Sequence, residues 1–355
     1  MAVTIEEIAR RAGVSAGTVS RILNGKNKEN RPTIAKRADR IRRLAAEMGY
    51  RPNAAARSMI TGRFGMVALL TCGDLGFDFF AASLMHGIHH GLEVRDTRLI
   101  LNEINGNLLA NPDFVPRLFQ ESAVDGVLVN IDSKLPTTAI PYFESQPMPT
   151  VLLNRKHAKR SVYPDEIMGA RLATEYLLKN GRSELGYFKL STSIPELHYS
   201  VQDRYIGFCQ AMDSAGLSAH RVIQGHSEDP GYPHKMGNSV PKALSFLDQF
   251  PDINGIVCYS LIDAVVMHTA ATQRGMRLGE DLDMIVFHER EAHSNIGIPI
   301  HTMLVPFGQV GIEAVNLIMA SQKNGQEEAR GALVVPYTDM FNATDQTVQP
   351  VAAIS

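Results

Sequence analysis

From Phe64 onward the sequence alternates short apolar runs with segments of helical periodicity, and this alternation restricts the fold more than any other feature. Seven runs are predicted to be strands: FGMVALL (64–70), RLILN (98–102), GVLVNI (126–131), PTVLLN (149–154), LGYFKL (185–190), GIVCY (255–259) and DMIVF (283–287). Helices are predicted between them, for example over 166–180 and 203–215. Near-continuous apolar strands separated by helices are typical of parallel sheets covered on both faces. The number of βα units, without a closing repeat, favours two doubly wound α/β lobes over a barrel.

The first fifty residues lack this alternation and have the periodicity of three helices. Thr4 and Glu7 form a capping box that begins the first helix. Ser15 caps a second helix, which ends at Asn24-Gly25, and a third helix is predicted from about residue 33 to 48. Three helices of this length predict a small all-α unit that folds separately from the α/β region.

The charge of the chain is unevenly distributed between these two regions. Residues 1–63 contain 14 Lys and Arg against five Asp and Glu, a net charge of +9, whereas the remainder has a net charge of −11. A basic head on an acidic body indicates that only the head binds a polyanion. A solvated basic helix face is the alternative, and charge alone does not decide between the two.

The spacing of the first two helices is that of a helix-turn-helix. Gly13 supplies the turn, Ala9 allows a close helix crossing, and Val19 and Ile22 hold the second helix against the first. Small or apolar residues at all four positions, together with the basic charge, favour nucleic-acid binding over an αα-hairpin that binds none.

Motifs along essentially the whole chain resemble the LacI/GalR family of bacterial repressors. In the head these are VTIEEIARRAGVSAGTVSRILNG and AAEMGYRPNAAARSM; downstream they are VDGVLVN, PTVLLNR, GARLATEYLLKNGRSELGYF, DRYIGFCQAM and GMRLGEDLDMIVF. The resemblance implies three parts. They are a helix-turn-helix headpiece (1–50), a hinge helix (51–62), and a two-lobed domain for effector binding and dimerisation (63–355), similar to periplasmic binding proteins.

The resemblance implies that the second helix enters a major groove, with Ala16, Gly17 and Arg21 facing base edges. Arg21 can donate two hydrogen bonds to one guanine, worth about 1–3 kcal/mol of discrimination. Ala16 offers only a methyl group and Gly17 only close approach, so this helix alone reads little sequence. The short hydroxyl side chains are better suited to phosphates. The DNA contacts predicted in the headpiece are Thr4, Ser15, Ala16, Gly17, Thr18, Ser20, Arg21 and Asn24.

The hinge stretch RPNAAARSMI (51–60) is expected to supply the rest of the readout. Pro52 suits a first helical turn, but about eight residues are too few for a stable isolated helix. In the family that the chain resembles, paired hinge helices wedge a Leu into the central base step of the minor groove, and Met59 matches that position. Contact of Met59 with the protein's own core is the alternative. The DNA contacts predicted in this stretch are Asn53, Ala56, Arg57 and Met59.

The same resemblance implies a ligand pocket between the lobes. Arg204, predicted near a helix start, matches the family arginine that donates two hydrogen bonds to ligand hydroxyls or to a ligand carboxylate. A surface salt bridge of Arg204 is the alternative. The remaining pocket residues implied are Phe79, Phe80, Asn154, Arg155 and Asp165, together with Ser260, Asp263 and His288. Ser260, Asp263 and His288 lie where this sequence departs from the family that it resembles. That family usually has Asn-Asp where this chain has Ser260-Leu261, and Tyr-Asp where it has Phe287-His288. Val305 similarly replaces a usual Gln.

Other classes of site receive little support from the sequence. His86, His89 and His90 have helical i, i+3, i+4 spacing, but an exposed helix surface is favoured over a metal site. No nucleotide-binding loop or nucleophile elbow is present, so neither a cofactor nor catalysis is expected. The sequence shows no secretory signal and no apolar run that could span a bilayer, so a cytoplasmic location without membrane contact is expected.

The function expected from these features is a homodimeric repressor that binds a palindromic operator in double-stranded DNA and responds to a small molecule, with a carbohydrate as the leading candidate. A purine or carboxylate effector is one alternative. A second alternative, from another class, is a cytoplasmic carbohydrate-binding protein whose DNA-binding head is vestigial. The polar tail ATDQTVQPVAAIS is expected to be loose and shows no heptad for tetramer formation.

Overall fold

The computed structural model describes residues 3–24, 32–51, 58, 62–72, 81–104, 111, 114–121, 123–131, 139–190, 198–218, 220–223, 236–291, 297–324 and 331–353. The predicted hinge contacts Asn53, Ala56, Arg57 and Met59 lie outside these ranges, as does the pair Phe79-Phe80. The chain divides into two compact units, Met1–Phe64 and Gly65–Ser355. The finer boundaries at residues 50 and 62 stay a prediction.

Three helices form the first unit: α1 (Ile5–Ala12), α2 (Ala16–Leu23) and α3 (Pro32–Glu47). The capping box is present, because Thr4 N donates to Glu7 Oε2 at 2.9 Å and Glu7 N donates to Thr4 Oγ1 at 3.3 Å. Helix α1 ends at Gly13, whose φ of 67° lies in the left-handed region that glycine adopts without strain. The helices meet around an apolar core of Ile8, Ala9, Val19, Ile22, Ala38, Ile41 and Ala45.

Two sheets organise the second unit. The strands of the first sheet are β1 (Met66–Cys72), β2 (Arg98–Ile104), β3 (Gly126–Asn130), β4 (Thr150–Leu153), β5 (Ser161–Pro164) and β11 (Ala332–Val335). Their order is β11-β5-β4-β3-β1-β2, and every described pairing is parallel. We call this sheet and its helices the first lobe.

The second sheet has seven described strands, and it forms the second lobe. They are β6 (Leu185–Lys189), β7 (His220–Ile223), β8 (Gly255–Cys258), β9 (Asp283–His288), β10 (His301–Leu304), β12 (Asp339–Asn342) and β13 (Thr347–Pro350). The order is β13-β12-β10-β9-β8-β6-β7, parallel except at the β10–β12 and β12–β13 pairings.

Helices cover both sheets. Those of the first lobe are α4 (Ala82–Glu93), α5 (Arg117–Gln120), α6 (Ile140–Ser145) and α11 (Phe307–Asn324). Those of the second lobe are α7 (Glu166–Lys179), α8 (Tyr199–Ser214), α9 (Met236–Gln249) and α10 (Leu261–Gln273). Helices α4 and α11 pack so closely that a Cβ added to Gly87 would lie 2.0 Å from the carbonyl oxygen of Gly308.

The chain passes between the lobes three times, and these passages position the cleft. It leaves the first lobe between β5 and α7, returns between β10 and α11, and leaves again between β11 and β12. The carboxyl ends of β5 and β10 therefore lie beside the cleft, where ligands of open parallel sheets bind.

The predicted fold class is confirmed: a small all-α headpiece precedes two doubly wound α/β lobes. All seven predicted strands are present, with ends within two residues of the predicted ones. Six further strands of four residues each were not predicted; all but Ala332–Val335 contain polar residues, so no continuous apolar run indicates them. One helix begins earlier than expected, at Tyr199 rather than residue 203, so Arg204 lies in its second turn and not at its start.

The prediction of a loose tail is wrong for residues 347–353. Strand β13 pairs antiparallel with β12, and Val351 packs into the core of the second lobe. Asn342 makes the connecting turn, because its Oδ1 accepts hydrogen bonds from the backbone N–H of Thr344 and Asp345. Local turn chemistry and one buried Val thus order a segment whose composition is polar.

Candidate nucleic-acid interface and ligand pocket

The exposed face of α2 is the most distinctive surface of the headpiece. Gly17, Arg21 and Asn24 are exposed and recur at i, i+4 and i+7, while Val19 and Ile22 are buried on the opposite face. This spacing places the three exposed residues on one side of the helix. The only long cationic side chain on that face is Arg21, within the described residues of α2. The face can therefore approach another surface closely and present one guanidinium to it.

Packing of the headpiece does not require the small residue at position 17. A Cβ added to Gly17 meets no atom within 4 Å, and the residue does not adopt a positive φ. Ala16 differs, because it is half-buried and packs against the headpiece core. The structure thus explains the small size of Ala16 but gives no internal reason for Gly17.

The short polar side chains of the headpiece take part in local hydrogen bonds. Ser15 Oγ accepts from Thr18 N at 3.3 Å and lies 2.9 Å from Thr18 Oγ1. Asn24 Nδ2 donates to Ser20 Oγ at 3.2 Å. Thr4 holds the start of α1 through the capping box. These hydroxyls fix the ends of two helices and retain further hydrogen-bonding capacity for a ligand such as phosphate.

A cavity of about 230 Å³ lies between the two lobes. The first lobe contributes Asn154, which follows β4, and the second contributes Tyr259 and His288 at the carboxyl ends of β8 and β9. Four of the residues predicted for the pocket line it: Asn154, Arg204, Ser260 and His288. The cavity is also lined by Phe287 and Val305, two positions at which the sequence departs from the family that it resembles. Lining residues without a prediction for this role are Glu166, His198, Ser200, Tyr259 and Glu289, with Ala81 and Phe307.

Three residues predicted for the pocket do not line it and have other contacts. Asp165 caps α7, because its Oδ1 accepts from Met168 N at 3.0 Å. Asp263 is buried behind Ser260, whose hydroxyl donates to it at 2.6 Å, and burial raises the pKa of its carboxyl. Arg155 is half-buried away from the cavity wall. Adjacency in sequence to a cleft residue did not bring these side chains into the cleft.

Arg204 is held in the cavity wall by hydrogen bonds and by two aromatic rings. Its guanidinium lies 4.2 Å from the ring centroid of Phe287 and 4.9 Å from that of Tyr259. It donates from Nε to Glu166 Oε2 at 2.6 Å, from Nη2 to Glu166 Oε1 at 2.9 Å, and from Nη1 to the carbonyl oxygen of Tyr259 at 2.8 Å. Arg204 is 7% exposed, so the alternative of a surface salt bridge is wrong.

The electrostatics around this arginine follow from its partner. Burial is the largest single influence and opposes the charge of Arg204, but Glu166, together with Tyr337 and Tyr259, outweighs it and raises the pKa of the guanidinium. Tyr337 Oη donates to Glu166 Oε2 at 2.7 Å. Burial is the main reason that the pKa of the Tyr337 hydroxyl lies well above its ordinary value. The ion pair and the tyrosine hydroxyl form one buried network in which each charge is compensated.

Several hydrogen bonds join the lobes around the cavity. Ser83, at the start of α4, donates from N and Oγ to Glu289 Oε2 at 2.8 and 2.6 Å. His198 Nε2 lies 2.8 Å from the carbonyl oxygen of Asn154, a residue with a positive φ of 51°. Lys156 Nζ donates to Asp203 Oδ2 at 2.6 Å. The relative position of the lobes is therefore held by polar contacts that a ligand in the cleft can strengthen or replace.

The histidine run on α4 is exposed, and His89 lies 4.0 Å from Glu93. In the part of the chain that the structure describes, no three His, Cys, Asp or Glu side chains are grouped for a metal ion. No described helix is both long and apolar enough to cross a membrane.

Two family profiles match this chain. The family described as "Bacterial regulatory proteins, lacI family" matches residues 4–53, which include all of α1, α2 and α3. The family described as "Periplasmic binding proteins and sugar binding domain of LacI family" matches residues 78–339, more than half of the chain and the whole of the cavity wall.

Individual proteins agree with these profiles. The chain is 27% identical over 327 residues to the HTH-type transcriptional regulator RegA of Clostridium saccharobutylicum, covering 90% of this chain and 92% of that protein. It is 25% identical over 339 residues to the ribose operon repressor of Haemophilus influenzae, covering 94% and 96%. Its fold is similar to that of the Lac repressor dimer bound to operator and the anti-inducer ONPF, with a TM-score of 0.68, 18% identity and coverage of 95% and 97%.

Proposed function

The chain belongs to the LacI family of bacterial regulatory proteins, and we propose that it is a homodimeric repressor whose affinity for operator DNA is set by a small molecule in the cavity between its lobes. As a member of that family, it is a DNA-binding transcription regulator with a ligand-binding domain. The observation that carries the proposal is the cavity itself, since it combines a fixed guanidinium with hydrogen bonds that join the two lobes.

On the DNA side, Arg21 reads a guanine in each half-site, and Gly17 allows the backbone of α2 to approach the bases. The exposed face of α2 and the unfilled space around Gly17 support this assignment. The hydroxyls of Ser15, Thr18 and Ser20 contact phosphates, as do Thr4 and Asn24. Two headpieces one helical turn apart bind a palindrome of roughly 14–20 base pairs.

The hinge completes the readout in this proposal. Asn53, Ala56, Arg57 and Met59 enter the minor groove as a short helix that orders on DNA, and Met59 wedges into the central step. Unstacking is least costly at flexible base steps, so the kink itself discriminates among sequences. A hinge near its own folding midpoint makes DNA affinity sensitive to small changes in the lobes.

On the effector side, an uncharged sugar is the ligand that the cavity supports best. The wall offers alcohol, amide and imidazole groups from Ser200, Ser260, Asn154 and His198, beside the aromatic ring of Tyr259. Hydroxyl-rich ligands match such a wall, and aromatic rings pack on the apolar face of a sugar. The relative named for the ribose operon is consistent with this choice. A purine is the second candidate effector.

Binding in the cavity changes DNA affinity through the position of the lobes. A ligand that favours one arrangement of the lobes shifts the equilibrium between two distances that separate the hinges of the dimer. A coupling free energy of about 1–3 kcal/mol between ligand and DNA binding changes operator occupancy five- to 150-fold. The contacts between Ser83 and Glu289, and between His198 and Asn154, are the ones that such a ligand competes with or reinforces.

The DNA-binding part of the proposal is tested with two variants, each of which removes one positive charge from the headpiece. Arg21→Ala is expected to weaken binding to the DNA that the wild-type protein selects by about 1–3 kcal/mol and to relax the preference for one guanine per half-site. Arg40→Ala, on the exposed side of α3, is the matched control and is expected to weaken all sequences equally. Equal effects of the two variants on sequence preference would contradict the role of Arg21.

The effector half is tested by calorimetry and by DNA release with a panel of sugars and purines. A compound that binds the wild-type protein and changes its DNA affinity supports the regulator, and Arg204→Ala should abolish that binding. The alternative, a carbohydrate-binding protein with a vestigial head, predicts a different result for the wild-type protein. It would bind a sugar but would not bind DNA sequence-specifically.

A further inference from the structure

The guanidinium of Arg204 already holds a carboxylate. Two of its five N–H groups meet the two oxygens of Glu166 at 2.6 and 2.9 Å, the parallel arrangement in which arginine binds carboxylates and phosphates. A third N–H donates to the carbonyl oxygen of Tyr259. The guanidinium thus has hydrogen-bond partners on all three of its nitrogens.

This pair is buried and held in one geometry. Arg204 is 7% exposed and Glu166 is 1% exposed, so neither charge is balanced by water. Tyr337 donates a further hydrogen bond to Glu166, and the rings of Phe287 and Tyr259 lie on the guanidinium. The edge of Arg204 that suits an anion is thus turned toward Glu166 and fixed there.

The rest of the described cavity wall adds no second Lys or Arg side chain to Arg204. The other carboxylate on it, Glu289, is anionic and bonded to the start of α4. An anionic ligand beside Arg204 would therefore meet the carboxylates of Glu166 and Glu289 and a guanidinium that is already paired, whereas an uncharged hydroxyl or carbonyl ligand meets no such repulsion.

We propose that Glu166 determines the specificity of this cavity: it occupies the anion-binding edge of Arg204, so that the cavity accepts uncharged polar ligands and rejects carboxylates and phosphates. The proposal rests on the proposed function in one respect, that the effector binds beside Arg204. It removes the carboxylate class from the candidate effectors and identifies the side chain that excludes it.

The test replaces the internal carboxylate with an external one. Glu166→Ala leaves Arg204 buried without its partner and leaves space where the carboxylate lay, so acetate can take its place. The probes are sodium acetate and, as the uncharged control, acetamide, compared at constant ionic strength. The readouts are the midpoint of thermal unfolding and binding by calorimetry.

The expected result is a lowered unfolding midpoint in Glu166→Ala that rises with acetate and not with acetamide, with saturable binding in the millimolar range. The wild-type protein should show no rise specific to acetate. Neither of two controls should show a rise specific to acetate: Glu166→Asp keeps the charge, and Glu175→Ala removes a carboxylate of the same helix that pairs with the half-exposed Arg171.

Two outcomes overturn the proposal. One is an acetate-specific rise in wild-type protein that disappears in Arg204→Met, because the arginine would then accept an external anion despite Glu166. The other is the absence of an acetate-specific rise in Glu166→Ala. If this variant is largely unfolded, the folded fraction is the readout, and it must be restored by acetate and not by acetamide.

Failure of this proposal is distinguishable from failure of the proposed function. If a carboxylate or phosphate compound changes the DNA affinity of the wild-type protein through Arg204, the role of Glu166 is wrong while ligand control of DNA binding stands. If none of the panel compounds changes DNA affinity, the proposed function fails, whatever the acetate experiment shows.

Discussion

The contact between Glu289 and Ser83 gives a quantitative test of how the lobes are held. Both the backbone N–H and the hydroxyl of Ser83 donate to one oxygen of Glu289, at 2.8 and 2.6 Å. The two residues lie 206 positions apart, on opposite lobes. The carboxylate also faces the positive end of α4, whose first residue is Ala82.

The change is Glu289→Gln, which keeps an acceptor oxygen and removes the charge. Hydrogen bonds to a charged group contribute about 1.5–3 kcal/mol, and ordinary ones about 0.5–1.5 kcal/mol. A carboxylate at a helix start adds about 0.3–1 kcal/mol. Because Glu289 is partly exposed and the amide still accepts, we expect the free energy of unfolding to fall by about 1–2 kcal/mol.

The assay is urea unfolding followed by circular dichroism, since the chain has no Trp. A cycle with Ser83→Ala isolates the hydroxyl–carboxylate term, expected at about 1 kcal/mol. Glu280→Gln, which breaks an exposed pair with Arg277, is the matched control and should cost less than about 0.5 kcal/mol. If Glu289→Gln costs no more than this control, or the coupling in the cycle is near zero, the reasoning about the lobe contact is refuted.

Three further predictions concern the fold and the DNA-contact face. Gly87→Ala should lower the free energy of unfolding in urea by about 3 kcal/mol or more, because the added Cβ would lie 2.0 Å from the carbonyl oxygen of Gly308. Unchanged stability would mean that α4 and α11 are not packed this closely. Burial lowers the pKa of His301, whose Nδ1 accepts from the backbone N–H of Ala343, so the unfolded state binds a proton first as the pH falls. Unfolding free energy measured against pH should therefore decline below about pH 6.5, by at most about 1.4 kcal/mol per unit, and a flat profile in this range would contradict the assignment. Gly17→Ala should stabilise the headpiece by up to about 1 kcal/mol while weakening specific DNA binding; unweakened binding would remove the argument for close approach.

The sequence predicted the lobes well because their strands carry a strong local signal. Runs such as Gly126–Asn130 are buried on both faces and consist almost wholly of apolar residues. Most of the six strands that were not predicted have no such signal, because polar residues interrupt them. Ser161–Pro164 and His301–Leu304 are strands because their neighbours in the sheet offer hydrogen bonds, which is tertiary information.

The pocket was predictable in part for the same reason. Tyr259 and His288 stand at the ends of parallel strands, where ligands of such sheets bind, so the strand pattern itself points to them. Glu166 gave no comparable signal, because an acidic residue in the first turn of a helix is common without any partner. Only the structure shows that Asp165 turns to cap α7 while Glu166 turns to Arg204.

The most direct test of the central claim is a selection of genomic DNA fragments by the full-length protein at about 0.15 M salt, where non-specific binding is weak. The account predicts an enriched palindrome with a flexible central step and one guanine in each half-site, and loss of that guanine preference in Arg21→Ala. The contradicting result is no enriched sequence while binding persists at low salt. The head would then act only as an electrostatic anchor, and the protein would not be a sequence-specific repressor.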